Sequence, residues 1–155
     1  MLQDTLLQES LTGLIWSRHM VRDIVKDESF LSQKSVPATK EDLHIAQDLL
    51  DTLNAHLDGC VGMAANMIGE LKNIIVIEIN ETPMVMINPK ITKADGKYKT
   101  EEGCLSLEGQ RTTYRFKNIR VRYSDMDFKE HTGTFTDFTA EIIQHEVDHC
   151  NGKII

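Results

Sequence analysis

Near its C-terminal end the chain reads His145-Glu146-Val147-Asp148-His149. On an α-helix, residues four apart stand on one face about one turn from each other, so two imidazoles at this spacing can reach one ion at roughly 2.0–2.1 Å. Glu146, beside the first imidazole, can lean over that ion and accept a proton from water bound to it. The segment therefore reads as one divalent metal held by His145 and His149, with Glu146 as the acid/base. This pattern alone leaves the third ligand open. Cys104, in Glu101-Glu102-Gly103-Cys104-Leu105-Ser106-Leu107, is a candidate. Thiolate is a strong ligand for zinc or ferrous iron, and Gly103 would let the backbone approach closely. Taken by itself, a cysteine so placed is more often a buried free thiol.

The elements that would carry these groups can be read from periodicity. Asp137 is expected to cap a helix from about Phe138 to Cys150, ended by Asn151-Gly152. An earlier helix is signalled from Thr39, with Asp42 three residues on forming a capping box; Leu43, Ala46, Leu49, Leu50, Leu53 and Leu57 then line one face to about Asp58. Gly59, Gly62 and Gly69 mark a turn-rich loop. Strand signals follow at 74–79, 84–87, 91–100 and 119–123. Ala94-Asp95-Gly96 suggests a bent strand or hairpin, and 129–133 a turn into a further short strand. The order predicts an α+β fold with mostly antiparallel strands. Residues 1 to 19 read as an amphipathic helix on Leu2, Leu6, Leu7, Leu11, Leu14 and Ile15, with Met20 directly after them. We read 1–19 as an N-terminal extension or an artificial appendage, and 20–155 as one domain.

Composition narrows the function classes. The 155 residues are 41% hydrophobic and 26% charged, which suits a globular chain able to bury a core. The net charge of -7 would repel a phosphate backbone on average, so nucleic acid is not an expected direct ligand. Arg111, Arg115, Lys117, Arg120 and Arg122 alternate with apolar residues, as on the solvent face of a strand. The longest apolar runs, such as Ile74-Ile75-Val76-Ile77, are too short to cross a bilayer, so no membrane association is expected. Three cysteines, an odd count, with no secretory signal argue for a reducing compartment, and cytoplasmic is the expectation.

Three segments resemble the signatures of one family, the peptide deformylases. Glu102-Gly103-Cys104-Leu105-Ser106 is similar to the second signature and Gln144-His145-Glu146-Val147-Asp148-His149 to the third. Cys60-Val61-Gly62-Met63-Ala64-Ala65-Asn66-Met67-Ile68-Gly69 is similar to the first, a Gly-x-Gly-Leu-Ala-Ala-Pro-Gln-Ile-Gly loop. Ile87-Asn88-Pro89 and Asn151-Gly152-Lys153 also fit, and the similarity runs from about Val21 to Ile155. The resemblance implies antiparallel sheets around a central metal-bearing helix. It also implies an iron(II)-preferring hydrolase, with zinc, nickel or cobalt able to replace the iron, that removes formyl from the N-terminal methionine of new peptides. Position by position, Cys104, His145 and His149 would be the ligands and Glu146 the acid/base. The Leu105 backbone N–H would face the developing oxyanion, and Gly62 would pair with the substrate backbone. Val61 and the Glu102 stem would border the methionine pocket, and Glu141 and Ile142 would also border the substrate.

Three positions depart from that pattern. Met67 stands where the family has a glutamine that helps hold the oxyanion, and a thioether donates no hydrogen bond. Cys60 replaces a glycine, where its side chain could narrow the cleft or reach the metal as a fourth ligand. Glu141 stands one turn before His145, where the family usually presents an apolar residue to the methionine pocket; a carboxylate there could change side-chain preference or simply face solvent. The sequence given stops at Ile155, without the C-terminal helix by which many bacterial members engage the ribosome, which counts against ribosome contact. Three readings follow: a deformylase with weakened activity, a non-catalytic binder of formyl-peptides, and an amidase for another small N-acyl substrate.

Overall fold

The computed structural model describes residues 20–155; the helix expected over 1–19 lies outside them. In chain order the elements are α1 (Glu28–Leu31), α2 (Leu43–Asn54), β1 (Gly62–Ala64), β2 (Ile74–Ile79), β3 (Thr82–Cys104), β4 (Leu107–Ser124), β5 (Glu130–Thr136) and α3 (Asp137–Cys150). The five strands form a single sheet in sequence order, every neighbouring pair antiparallel. The α+β order with antiparallel strands is as expected, though in one sheet rather than several.

The run Ile74-Ile75-Val76-Ile77 explains how the layers assemble. Side chains alternate across a strand, so an unbroken apolar run must be covered on both faces. Ile74 and Val76 pack with Ile45, Ala46, Leu49 and Leu53 of α2. Ile75 and Ile77 pack on the other side with Ala140, Ile142 and Ile143 of α3. All four β2 residues are fully buried. The helix that carries the histidines is therefore one outer layer of a helix–sheet–helix arrangement. It is tied to β4 by the Gln144 amide, which donates to the Phe116 carbonyl and accepts from the Phe116 N–H, each at 2.8 Å. A side-chain amide here imitates a neighbouring strand.

Several local expectations need correction. The strands expected at 84–87 and 91–100 are one long strand, β3, with register irregularities after Ile87 and Ile91; Gly96, at φ +75°, bends it without reversing it. Part of the glycine-marked loop is itself strand: β1 pairs with β2 from Gly62↔Ile77 to Ala64↔Ile75. The helix from Thr39 opens as a 3-10 turn at Lys40–Asp42, with the Thr39 N–H donating to Asp42 at 2.8 Å. It ends at Asn54, leaving Leu57 beyond the helix and 41% exposed. At α3 the N-cap is Thr136; Asp137 is the first helical residue and takes a φ of +52°. In the basic strip Lys117, Arg120 and Arg122 are exposed as expected, but Arg115 is buried.

The C-terminus of α3 ends as its Asn-Gly pair suggests. The Gly152 N–H donates to the His149 carbonyl and the Lys153 N–H to the Asp148 carbonyl, both at 3.0 Å, with Gly152 at φ +73°. A Cβ at Gly152 would lie 2.5 Å from the Ser32 carbonyl oxygen. Only glycine meets both demands. Gly152→Ala is therefore expected to cost about 2 kcal/mol, read as a lowered midpoint in denaturant titration. An unchanged midpoint would contradict this close packing.

Candidate active site

The β3–β4 connection is a two-residue turn, Leu105-Ser106, closed by the pair Cys104↔Leu107. It holds the Cys104 thiol beside the inner face of α3. Cys104 Sγ lies 3.2 Å from His149 Nε2, and that nitrogen lies 3.2 Å from His145 Nε2. The three donor atoms all fall within 4.8 Å of one another. Tetrahedral ligands on a shared ion stand about 3.4–3.6 Å apart, given metal bonds near 2.0–2.3 Å. The observed spacing suits such an ion. A Cβ at Gly103 would meet only ordinary contacts, the nearest being Gly109 O at 3.6 Å. The close backbone approach expected at Gly103 is therefore not found.

Charge reinforces the fit. Burial alone would strip both imidazoles of a proton. For His145 that effect is overridden by Cys104 and Glu102, which lift it to about 10. His149, buried and beside the charge on His145, falls to about 3. His149 is thereby left neutral, as a ligand imidazole must be, and a soft thiolate with two imidazoles is a donor set for a divalent transition metal.

Behind His145 runs a chain of charge-assisted bonds. Its Nδ1 lies 2.8 Å from Glu102 Oε1. Arg115 donates Nε to Glu102 Oε2 at 2.9 Å, Nη2 to Glu102 Oε1 at 2.7 Å and Nη1 to Asp148 Oδ2 at 2.6 Å. Burial acts to raise Glu102, but its bonds to His145 and Arg115 win and hold it near 2. Glu102 lines the cleft, as the family resemblance implies, yet its carboxylate is turned to the histidine. Asp148, part-buried, anchors the far end of the guanidinium. Sequence reasoning missed Arg115. One signal was present: it shares strand parity with Ile119 and Val121, both buried, whereas Arg120 and Arg122 do not.

A cleft of about 610 Å³ opens onto this centre. Ten of the eleven candidate residues line it: Val61, Gly62, Met67, Glu102, Cys104, Leu105, Glu141, Ile142, His145 and Glu146. The eleventh, His149, is fully buried. Glu146 is 4% exposed, its Oε1 meets no protein partner, and burial, its largest influence, raises it to about 7. Gly62 of β1 passes directly over it: a Cβ there would lie 2.9 Å from Glu146 Oε2 and 2.7 Å from Ile142 Cγ2. Glycine is required for β1 to come this close. Phe138, 61% exposed on the first turn of α3, also lines the cleft and went unnoticed in sequence because an exposed aromatic has no periodic signal.

The three departures have definite places. Met67 is buried, and its sulfur accepts from the Ala64 N–H at 3.5 Å. Asn66 does not replace the missing amide in the cleft; its Nδ2 donates to the carbonyls of His149 at 3.0 Å and Leu31 at 3.4 Å. Cys60 is a thiol pushed up to about 12 by burial, donating to the Gly62 carbonyl at 2.9 Å, and it lies outside the convergent donor group. Glu141 accepts a 2.8 Å bond from the Tyr98 hydroxyl.

Comparison with known proteins agrees with this geometry. Residues 21–155 match the family model described as polypeptide deformylase. A peptide deformylase of Clostridium beijerinckii is 52% identical over 136 residues, covering 88% of this chain and all of the relative. The crystal structure of a peptide deformylase from Thermotoga maritima superposes with a TM-score of 0.78 at 33% identity, over 88% of this chain and 95% of that one. A class I type b peptide deformylase from Acinetobacter baumannii, bound to Met-Ala-Ser, gives 0.78 at 27% identity over 86% and 96%.

The buried ion-pair chain yields a test. Arg115→Ala leaves Glu102 and Asp148 without their cation and is expected to cost about 3–5 kcal/mol of stability, and to weaken metal retention about 10–100-fold through a loosened His145. Because Glu102 is depressed, its contribution is complete above its ordinary value of 4.5 and is lost as pH falls toward about 2. The gap between the native protein and Arg115→Ala should therefore narrow across that window in acid denaturation. A gap constant from neutral pH down to 2 would disprove the linkage.

Proposed function

Because this chain belongs to the polypeptide deformylase family, we propose that it is a metal-dependent amide hydrolase. On this reading it removes the formyl group from the N-terminal formyl-methionine of newly made peptides, in the cleft bounded by β1, the β3–β4 turn and α3. The observation that carries this is the convergence of Cys104, His145 and His149 beside a buried carboxylate, Glu146, that has an unengaged oxygen. Residues 20–155 are the catalytic unit, a reading supported by the full-length match to a 136-residue relative.

Cys104, His145 and His149 would hold the ion. When bound, a divalent cation supplies Lewis acidity toward water and toward the formyl carbonyl. The chain's own groups do the rest. Glu146, poised near 7 by burial, takes the proton from the attacking water and later delivers it to the leaving amine nitrogen. The Leu105 backbone N–H, at the turn beside Cys104, donates to the oxygen as negative charge develops on it. Gly62 keeps β1 close enough to guide the substrate main chain while leaving Glu146 in place. The Glu102–Arg115–Asp148 chain orients His145. Met67 adds no second hydrogen bond to that oxygen beside the Leu105 N–H. Iron(II) is the physiological ion on this reading, with zinc, nickel or cobalt as substitutes. The compartment is the cytoplasm; among the described residues no helix is long and apolar enough to cross a membrane.

Ferrous protein assayed anaerobically on formyl-Met-Ala peptides tests the assignment. We expect hydrolysis, a loss of about 10²–10⁴-fold in Glu146→Ala, and a gain of up to about 100-fold in Met67→Gln as a donor is restored. Loss of activity in air, with nickel-loaded protein unaffected, would support iron. Metal-dependent peptide binding without product, in both the native and Met67→Gln proteins, would instead mark a non-catalytic homologue.

A further inference from the structure

β1 is the end strand of the sheet, and one of its peptide groups is met by a side chain instead of a strand. The Glu78 N–H of β2 donates to the Val61 carbonyl at 2.8 Å, so these two residues form a hydrogen-bonded pair of the antiparallel ladder. At the next pair, Gly62↔Ile77, the peptide groups of Gly62 must turn away from β2. Gly62 lines the cleft and is buried. A carbonyl left bare there would carry the cost of an unmade hydrogen bond.

Cys60 supplies the partner. It is half-buried in the lining of the same cleft, and its Sγ donates to the Gly62 carbonyl oxygen at 2.9 Å. Two residues along β1 and facing the same way, the Ala64 N–H is met by the Met67 sulfur at 3.5 Å. Each of these outward groups is thus covered by a sulfur of the chain itself. A neutral thiol is a weak donor. A main-chain N–H of an extended peptide added alongside β1 is a stronger one. It would need the same space, because its nitrogen would also stand about 2.9 Å from the oxygen.

Resting on the deformylase reading above, we infer that Cys60 is a displaceable cap on the substrate-binding edge: its thiol holds the Gly62 carbonyl in the free protein and yields that oxygen to a main-chain N–H of the formyl-peptide. Cys60 is a positioning residue that acts through Gly62. It sets how tightly the peptide is held and leaves the chemical step as it is. The bond given up is a weak one, so the effect is a few-fold.

The test measures KM and kcat for formyl-Met-Ala peptides on metal-loaded native protein, Cys60→Ala and Cys60→Ser. Cys60→Ala frees the carbonyl and is expected to lower KM about twofold to fivefold, the scale of one neutral hydrogen bond. Its kcat should stay within about twofold of native, the pattern of an altered binding step. Cys60→Ser is smaller than cysteine but a better donor, and should keep KM at or above the native value. A purely steric effect would instead lower KM in both variants and would overturn the inference. So would a KM unchanged or raised in Cys60→Ala. A second measurement needs no turnover. The infrared S–H stretch of Cys60, identified as the band missing from Cys60→Ala, should move to higher frequency when the product Met-Ala is added at saturation. A band that stays in place with product bound would overturn the cap while leaving the deformylase reading intact. Absence of turnover in all three proteins counts against the deformylase reading by itself, and the band then decides the cap.

Discussion

Three neutralisable donors, the Cys104 thiol and the ring nitrogens of His145 and His149, are held within 4.8 Å of one another. Lone pairs packed this closely repel unless positive charge lies among them. The rest of the structure can be understood as what is needed to keep that arrangement from relaxing. Two of the donors come from successive turns of one helix and are positioned by its pitch. The third comes from a hairpin tip, and its placement depends on the register of two long strands.

One guanidinium joins these sources. Arg115 on β4 grips Glu102 on β3 and Asp148 on α3, and Glu102 in turn holds the outer nitrogen of His145. A buried charge with two ordered partners, Glu102 and Asp148, has few alternative positions, because any displacement leaves a carboxylate unpaired in a low-dielectric setting. The hairpin and the helix are thus locked to each other by electrostatics, while Gln144 sets the helix against β4 through backbone-like hydrogen bonds. Steric limits complete the frame. Gly62 and Gly152 sit where a single added carbon would collide with Glu146 and with Ser32, so glycine at these two points sets how closely β1 and the α1 segment approach the catalytic helix.

The departures from the usual first motif take on meaning in this frame. Asn66 is drawn away to the carbonyl of His149, where it steadies the end of the metal-binding helix instead of facing substrate. Met67 fills the core beside the cleft without contributing a donor. Cys60 keeps its proton and satisfies the Gly62 carbonyl, so it stands outside the convergent group of Cys104, His145 and His149. An open position is what separates hydrolytic sites from structural ones.

The four-residue spacing of His145 and His149, the acid between them and the Asn-Gly stop were legible in the sequence, because helix pitch and glycine's conformational freedom are local properties. So was the strand at 74–79, although its burial on both faces emerged only with the two helices in place. The three signature segments likewise pointed to Cys104 as a companion of the two histidines, which the residue types alone left open, and its sulfur stands 3.2 Å from His149 Nε2. What only tertiary structure decided was long-range pairing. That Arg115 belongs to the site and not to a solvent-facing strip, and that Glu102 turns toward His145, depend on β3 and β4 being one continuous ladder closed at Cys104↔Leu107. That Glu141 is met by Tyr98 depends on the same ladder, 43 residues away in the chain. A charge's partner is set by which strands lie side by side, and no local pattern encodes that distance.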